Sequence, residues 1–259
     1  MSRDQQSSTH ETFVTRRELG RLWTAVIVLA VAWAGTAAWL LLRASSTPQV
    51  LAVERLEIVE PDGTLALVMA NSQRPAAATI GGQIIMRGQE EERRGMPSII
   101  FFDGKGDEVG GMLFGVRETT TGYSATRHFS LDAYRQDQTV VLAHYQSPAG
   151  STSGLTISDR PSHSLLDALV QLGLGPGATR AQLTAALNSI PEDERPERRR
   201  ALFGTSRAFF GSAATGEATL TLRDGQGRPR IIIEAPKDGE PSLRMLDASG
   251  ETVLRLPGV

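Results

Sequence analysis

Between Leu22 and Leu42 the sequence LWTAVIVLAVAWAGTAAWLLL contains no charged residue. About 20 apolar residues at roughly 1.5 Å per residue reach across a hydrocarbon layer of about 30 Å. A helix apolar on every side needs apolar contact all round, which a small soluble core does not supply. The stretch therefore predicts one transmembrane helix, and it divides the chain into a tail over residues 1–21, the span over 22–42, a short Ser/Pro linker over 43–50 and an exposed domain over 51–259. Trp23 and Trp39 stand near the two ends of the span, where indoles favour the interface, while Trp33 lies inside it.

Arg3, Arg16, Arg17 and Arg21 precede the span, and only Arg43 and Arg55 follow it closely. The positive-inside bias places the N-terminus in the cytoplasm and the large domain outside the bacterial cytoplasmic membrane, as a single-pass protein. The competing reading is a signal peptide cut near Ala44-Ser45-Ser46. Its apolar region normally runs about 7 to 15 residues, shorter than this one, and Arg43 follows the span directly. Within the span, Ala30, Ala34 and Ala38 fall at i, i+4 and i+8 with Gly35 beside them. Such a small-residue face lets a second helix approach closely, although alanine is also simply common in membrane spans.

Composition excludes several chemistries. The 259 residues include no cysteine, which removes disulfides, thiolate catalysis, iron–sulfur clusters and Cys-based zinc sites. Lys+Arg 27 against Asp+Glu 29 gives a net charge of -2, with no field to draw in nucleic acid.

Beyond the linker one unit recurs: an alternating apolar run, a turn centred on Asp and Gly, and a second alternating run. It appears as LEIVEPDGTLALVM (56–69), SIIFFDGKGDEVGGMLF (98–114), TLTLRDGQGRPRIIIEA (219–235) and SLRMLDASGETVLRL (242–256), with a looser relative in FSLDAYRQDQTVVLAHY (129–145). Alternation at period two makes half-buried strands. Asp-Gly or Asp-x-x-Gly supplies the positive φ that tight hairpins need, here at Asp62-Gly63, Asp103-Gly104, Asp224-Gly225 and Asp247 with Gly250. Each unit reads as a β-hairpin, and hairpins must join a common body to bury their apolar faces. The expected fold class is mainly β, a sandwich or barrel-like hairpin-repeat domain, with a small helical insertion over about 163–203. Ser164 with Asp167 and Thr179 with Gln182 open short helices there, closed by Gly173 and Pro191, and a third is expected from Pro196 to Phe203. Residues 70–96, with Gly81-Gly82 and the charge run Glu90–Arg94, read as a long, partly ordered loop.

The segments VERLEIVEPDGTL (53–65), IIFFDGKGDEVGGMLFG (99–115) and YRQDQTVVL (134–142) resemble a group of uncharacterised bacterial membrane-anchored proteins. The likeness covers about half of the exposed domain. It implies a single-span protein with a β domain and brings no catalytic signature.

Candidate sites are few. Asp62, Asp103, Asp107 and Asp224 sit in glycine-rich turns, but the loop DGKGDE lacks the ligand density of a calcium loop and reads as a plain turn. If the 129–145 hairpin turns about Gln136, His128 faces His144 and the two form half of a metal site, with no third ligand at suitable spacing. GYSAT around Ser124 is not a nucleophile elbow, GQGRP leads into a strand rather than a helix, and no HExxH occurs. The basic run RPERRR (195–200) interleaves with Glu192, Asp193, Glu194 and Glu197, which predicts mutual pairing on a solvated helix face. The sequence thus points to no catalytic, cofactor or metal residues. The leading expectation is a non-enzymatic module that scaffolds or stabilises a membrane protein complex from the extracytoplasmic side, with the bilayer and membrane proteins as partners and a second copy of the chain open as another. A ligand-binding or sensory ectodomain is the alternative, and a cell-envelope enzyme with dispersed residues a third.

Overall fold

The computed structural model describes residues 15–44 and 50–257; residues 1–14 of the expected tail and 45–49 of the linker lie outside them. The chain separates into two compact units, Met1–Ala52 and Val53–Val259. The first is built on α1 (Arg16–Ala44), longer than the expected span because helix formation runs back through the basic turn before it. Thr15 and Glu18 start it as a capping box: the Thr15 amide and hydroxyl both donate to Glu18 Oε2 at 2.9 Å. This helix is long and apolar enough to cross a membrane once. Its outward side chains are exposed, Leu29 and Trp33 among them.

In the second unit, β1 (Arg55–Val59) and β2 (Leu65–Ala70) form the first hairpin. The supposed loop over 70–96 contains β3 (Thr79–Ile80), β4 (Gln83–Ile84), β5 (Met86–Arg87) and the single turn α2 (Gln89–Arg93). Gly81 and Gly82, both at positive φ, make the two-residue connection that closes β3 on β4. The main sheet continues with β6 (Ser98–Phe102), β7 (Glu108–Thr119), β8 (Gly122–Asp132), β9 (Gln138–Ser147) and β10 (Gly150–Asp159). Then come α3 (Leu165–Gln171), β11 (Ala178–Thr179), α4 (Arg180–Asn188) and α5 (Arg195–Phe203), all within 163–203, with both capping boxes formed. The chain finishes with β12 (Thr205–Ser212), β13 (Ala218–Arg223), β14 (Pro229–Ala235), β15 (Ser242–Leu246) and β16 (Thr252–Leu256).

Twelve of these strands form one antiparallel sheet in the order β1-β2-β6-β7-β8-β9-β10-β12-β13-β14-β15-β16. Each neighbour in space is the next long strand in the chain, so the sheet is a continuous meander. The mainly β class expected from the sequence is found; a closed barrel, which needs β1 beside β16, is not, since the two stand at opposite ends of the order. The strands β10 and β12 belong to none of the recognised hairpin units; β10, GSTSGLTISD, is too rich in Ser, Thr and Gly to show alternation.

Three turns share one geometry. The Asp103, Asp224 and Asp247 amides donate to the carbonyl four residues on, and the amides of Gly106, Gly227 and Gly250 donate back to the Asp carbonyl. Each Asp Oδ1 also accepts two amides of its own turn, at 2.8 and 3.0 Å for Asp103. The residue forced to positive φ is the fourth of the turn: Gly106 at 75°, Gly227 at 78°, Gly250 at 90°, and Gly63 at 89° in the related turn Glu60–Gly63. Gly104 and Gly225, the glycines next to Asp, do not carry it, so Asp-x-x-Gly and not Asp-Gly is the turn signal here. Just past the turns the register slips by one residue, as at Phe101/Phe102, Leu222/Arg223 and Met245/Leu246, a bulge that brings the apolar positions of successive strands into line.

That register has a large consequence. One row of directly paired residues runs Leu56, Met69, Ile99, Met112, Phe129 and Leu142. It continues through Leu155, Phe210, Leu220, Ile233, Leu243 and Leu256. A second row on the same face, two residues along each strand, starts at Ile58, Leu67 and Phe101, passes through Gly110, Leu131 and Val140, and ends at Met245 and Leu254. Every strand of the sheet thus contributes apolar or glycine residues to one face. The opposite face holds the buried core at the N-terminal end of the sheet, where Val68, Ala70, Ile100 and Phe102 pack with Ala76. A second cluster of Ala78, Ile80, Ile85 and Leu169 joins the 78–86 segment to the helices. Along the C-terminal strands this opposite face becomes more polar, with Thr221, Arg244 and Arg255 beside Ile232.

The turn geometry makes a paired prediction. A Cβ at residue 106 is strained by its left-handed backbone and lies 3.3 Å from Thr64 Cγ2, whereas at residue 104 it meets nothing within 4 Å. Gly106→Ala is expected to lower unfolding stability by about 1–2 kcal/mol and Gly104→Ala by less than about 0.5 kcal/mol. Urea unfolding of the full chain in detergent, followed by far-UV circular dichroism, separates the two.

Candidate functional site

The cap formed by residues 78–93 and the three helices does not close fully on the sheet. Between them lies a cleft of about 590 Å³, within the range of small-molecule sites, lined by Glu108, Asp132 and Gln136 from the sheet side and by Arg93, Arg180 and Leu183 among others from the cap. Two polar atoms here are shut off from solvent without a hydrogen-bond partner: Gln89 Oε1 and Asp132 Oδ1. Burial, followed by the negative charges of Glu108 and Asp137, pushes the Asp132 carboxyl up to about 7. An acid poised near neutrality is a property that a general acid–base group uses. No histidine or lysine lines the cleft among the described residues.

An ion pair stands in the cleft wall. Arg93, 9% exposed, reaches from α2 and donates from Nη2 to both Glu108 oxygens at 2.7 and 3.0 Å and from Nη1 to the Ala76 carbonyl at 2.9 Å. Within the run Glu90–Arg94, Glu92 takes two bonds from Arg180 at 2.6 Å and Glu91 one from Arg94 at 2.7 Å. Arg160 ties the far side, donating to the Gln138 and Phe203 carbonyls. Asp107, 1% exposed, accepts the Gly81 amide and faces Arg135 at 3.5 Å, which fastens the β3–β4 turn to the sheet.

Several sequence candidates are resolved by these contacts. The turn aspartates are occupied by their own backbone amides, and no group of three His, Asp or Glu side chains able to hold a metal occurs among the described residues. The two histidines do not face each other: His128 pairs with Ala143 and Arg127 with His144. The turn centres on Arg135, a non-glycine at φ 53°, and a bulge follows at Leu131/Asp132, so the register differs by one residue from the expected one. A one-residue slip sends neighbouring side chains to opposite faces. His128 therefore bonds Tyr145 Oη at 2.9 Å on the capped face, its pKa lowered by burial and by nearby Arg93, while His144 bonds Ser153 Oγ at 2.7 Å on the other. The α5 arginines were expected to pair with neighbouring carboxylates. They donate instead to backbone carbonyls: Arg195 to Asn188 and Ile190, Arg198 to Gln171 and Arg200 to Gln226, at 3.1–3.4 Å. These are carbonyls at helix ends and in a turn, where a cation offsets the unpaired acceptors. Ala30, Ala34, Gly35 and Ala38 lie on α1 as the spacing places them.

The second candidate surface is the apolar sheet face. No other element of the second unit packs on it. Twelve of its residues, spread over the whole sheet, are between 38% and 64% exposed, Leu142 at 56% and Phe210 at 64% among them. A large, continuous, exposed apolar patch is unusual on a soluble monomer and marks an interaction surface. The alternation in the hairpin units was legible, but only the register between strands reveals that the apolar positions align into one face. The chain matches no family model, no curated protein and no solved structure.

Two predictions test the cleft. Between about pH 4 and 7 the folded state keeps a proton on Asp132 that the unfolded chain has released, so stability falls as pH rises through that window. Asp132→Asn is expected to flatten that limb and to gain on the order of 2–4 kcal/mol at pH 8, read from melting temperatures of both proteins across pH. Arg93→Met leaves the Glu108 carboxylate buried and unpaired and is expected to cost on the order of 3–5 kcal/mol, most of it recovered in the Arg93→Met/Glu108→Leu double variant. Denaturant midpoints of the wild type and the two variants check this.

Proposed function

We propose that this chain is a membrane-anchored, non-enzymatic assembly module that stabilises a membrane protein complex from the extracytoplasmic side of the bacterial cytoplasmic membrane. One observation carries the reading: an apolar face across all twelve strands with no described residue covering it. In water such a face costs free energy for as long as it is open, and burying it against a partner removes that cost. The α1 helix supplies the anchor, and the arginines clustered before it give the N-in orientation. A small-residue face on α1 suits contact with another span in the same bilayer.

A second reading, a ligand-binding ectodomain, is favoured by the cleft, where Asp132 and Gln89 present unpartnered polar atoms. The two readings use opposite faces of the sheet and do not compete for residues.

Purification of the tagged chain from its own membranes in a mild detergent, with mass spectrometry of what stays bound through size exclusion, tests the assembly reading. It expects integral membrane proteins at fixed stoichiometry, or the chain bound to itself. A bare monomer defeats it. Protease added outside spheroplasts is expected to digest the large domain, and protection there refutes the orientation.

A further inference from the structure

The proposed assembly role leaves open what covers the apolar face, and on that reading we infer that the occupant is the same face of a second copy of this chain, the two sheets packing as a twofold sandwich. The first argument is size. Twelve residues at 38–64% exposure leave on the order of 1,000 Å² of apolar surface open per copy, taking roughly 150–250 Å² for a large side chain. Two such faces give about the buried area of a standard stable interface.

The second argument is shape. The apolar rows cross eleven strand-to-strand steps of about 4.8 Å, a strip on the order of 50 Å long. Another sheet of the same length covers the strip throughout at the usual spacing of about 10 Å. A second copy is such a sheet and brings its own uncovered face, so one contact satisfies both. The strip is also bordered as an interface is. On the same face the next row is polar, with Arg127, His144, Ser153 and Ser212 across the central strands.

The third argument is charge. The turns at one end of the strands carry Asp103, Asp224 and Asp247 against Lys105 and Arg228. This mixed border gives no attraction to an anionic bilayer surface, which a lipid-facing sheet would exploit. Its mixed signs also leave little net charge to repel a second copy, and Asp224 is paired within the chain with Arg228 at 2.8 Å.

The native chain has no cysteine, which makes a site-specific test direct. Leu142 lies on β9, one of the two central strands of the twelve, so any twofold that overlays the strips brings its copies close together. Full-length Leu142→Cys, treated in native membranes with a short bis-maleimide, is expected to give a covalent dimer. Thr219→Cys, on the opposite face, is expected to stay monomeric. Leu142→Glu, added to a chain carrying Leu155→Cys on the neighbouring central strand, is expected to cut that cross-link at least tenfold while the far-UV spectrum is kept. A cross-link from Leu142→Cys to a different membrane protein overturns the self-association and leaves the assembly reading standing. No protein cross-link, with a monomer that carries co-purified lipid, overturns both.

Discussion

The register of a single antiparallel meander governs everything else in this domain. Side chains on a strand alternate, so one face of the sheet becomes apolar only if every hairpin hands its alternation to the next strand in phase. The Asp-x-x-Gly turns do this. Each closes with a left-handed glycine and a one-residue bulge, and the bulge sets the phase in which Ile99 meets Met112 and Leu220 meets Ile233. A turn one residue longer or shorter in any hairpin would carry all later strands to the wrong face. The Asp side chain that accepts two amides of its own turn is the local reinforcement of that count.

The same topology leaves the apolar face bare. A meander adds each strand to the free edge of the last, so the chain never crosses back over what it has built. Cover comes only from insertions. The two insertions, residues 71–97 and 160–204, both fall on the other face, where they join through β5 with β11 and through the cluster of Ile80, Ile85 and Leu169. Their position fixes the polarity of the domain: a capped face with a polar cleft near β7 and β8, and an apolar face that neither insertion covers.

Much of this was legible in the sequence because the signals are local. The uncharged run of 22–42, the alternating runs around Asp62, Asp103, Asp224 and Asp247, and the capping pairs Ser164–Asp167 and Thr179–Gln182 each depend on residues within a few positions of one another. What was not legible depends on long-range pairing or on weak local chemistry. The β3–β4 hairpin is only two pairs long, and it persists because Asp107 holds the Gly81 amide and Arg93 reaches Glu108. The strand GSTSGLTISD has no alternation of its own and takes its place from β9 and β12 on either side. The histidine pair fails for one residue of register, set by a left-handed Arg135 that no glycine advertises. The cleft combines residues from 78 to 206, and Asp132, its most perturbed group, sits in the sequence as one more turn-proximal aspartate.

The two surfaces also differ in what they cost when vacant. The cleft contains a few unsatisfied atoms beside a tightly bonded Arg93–Glu108 pair, and protonation of Asp132 relieves most of its burden without any ligand. The apolar face has no such relief. No titration or side-chain rearrangement hides two rows that cross twelve strands, because each residue is fixed by backbone pairing on both sides. A vacant cleft is therefore tolerable and a vacant face is not. On the proposed assembly reading the face, rather than the cleft, is where a partner binds, and anchoring through α1 would hold the chain at high local concentration and lower the entropic cost of finding one.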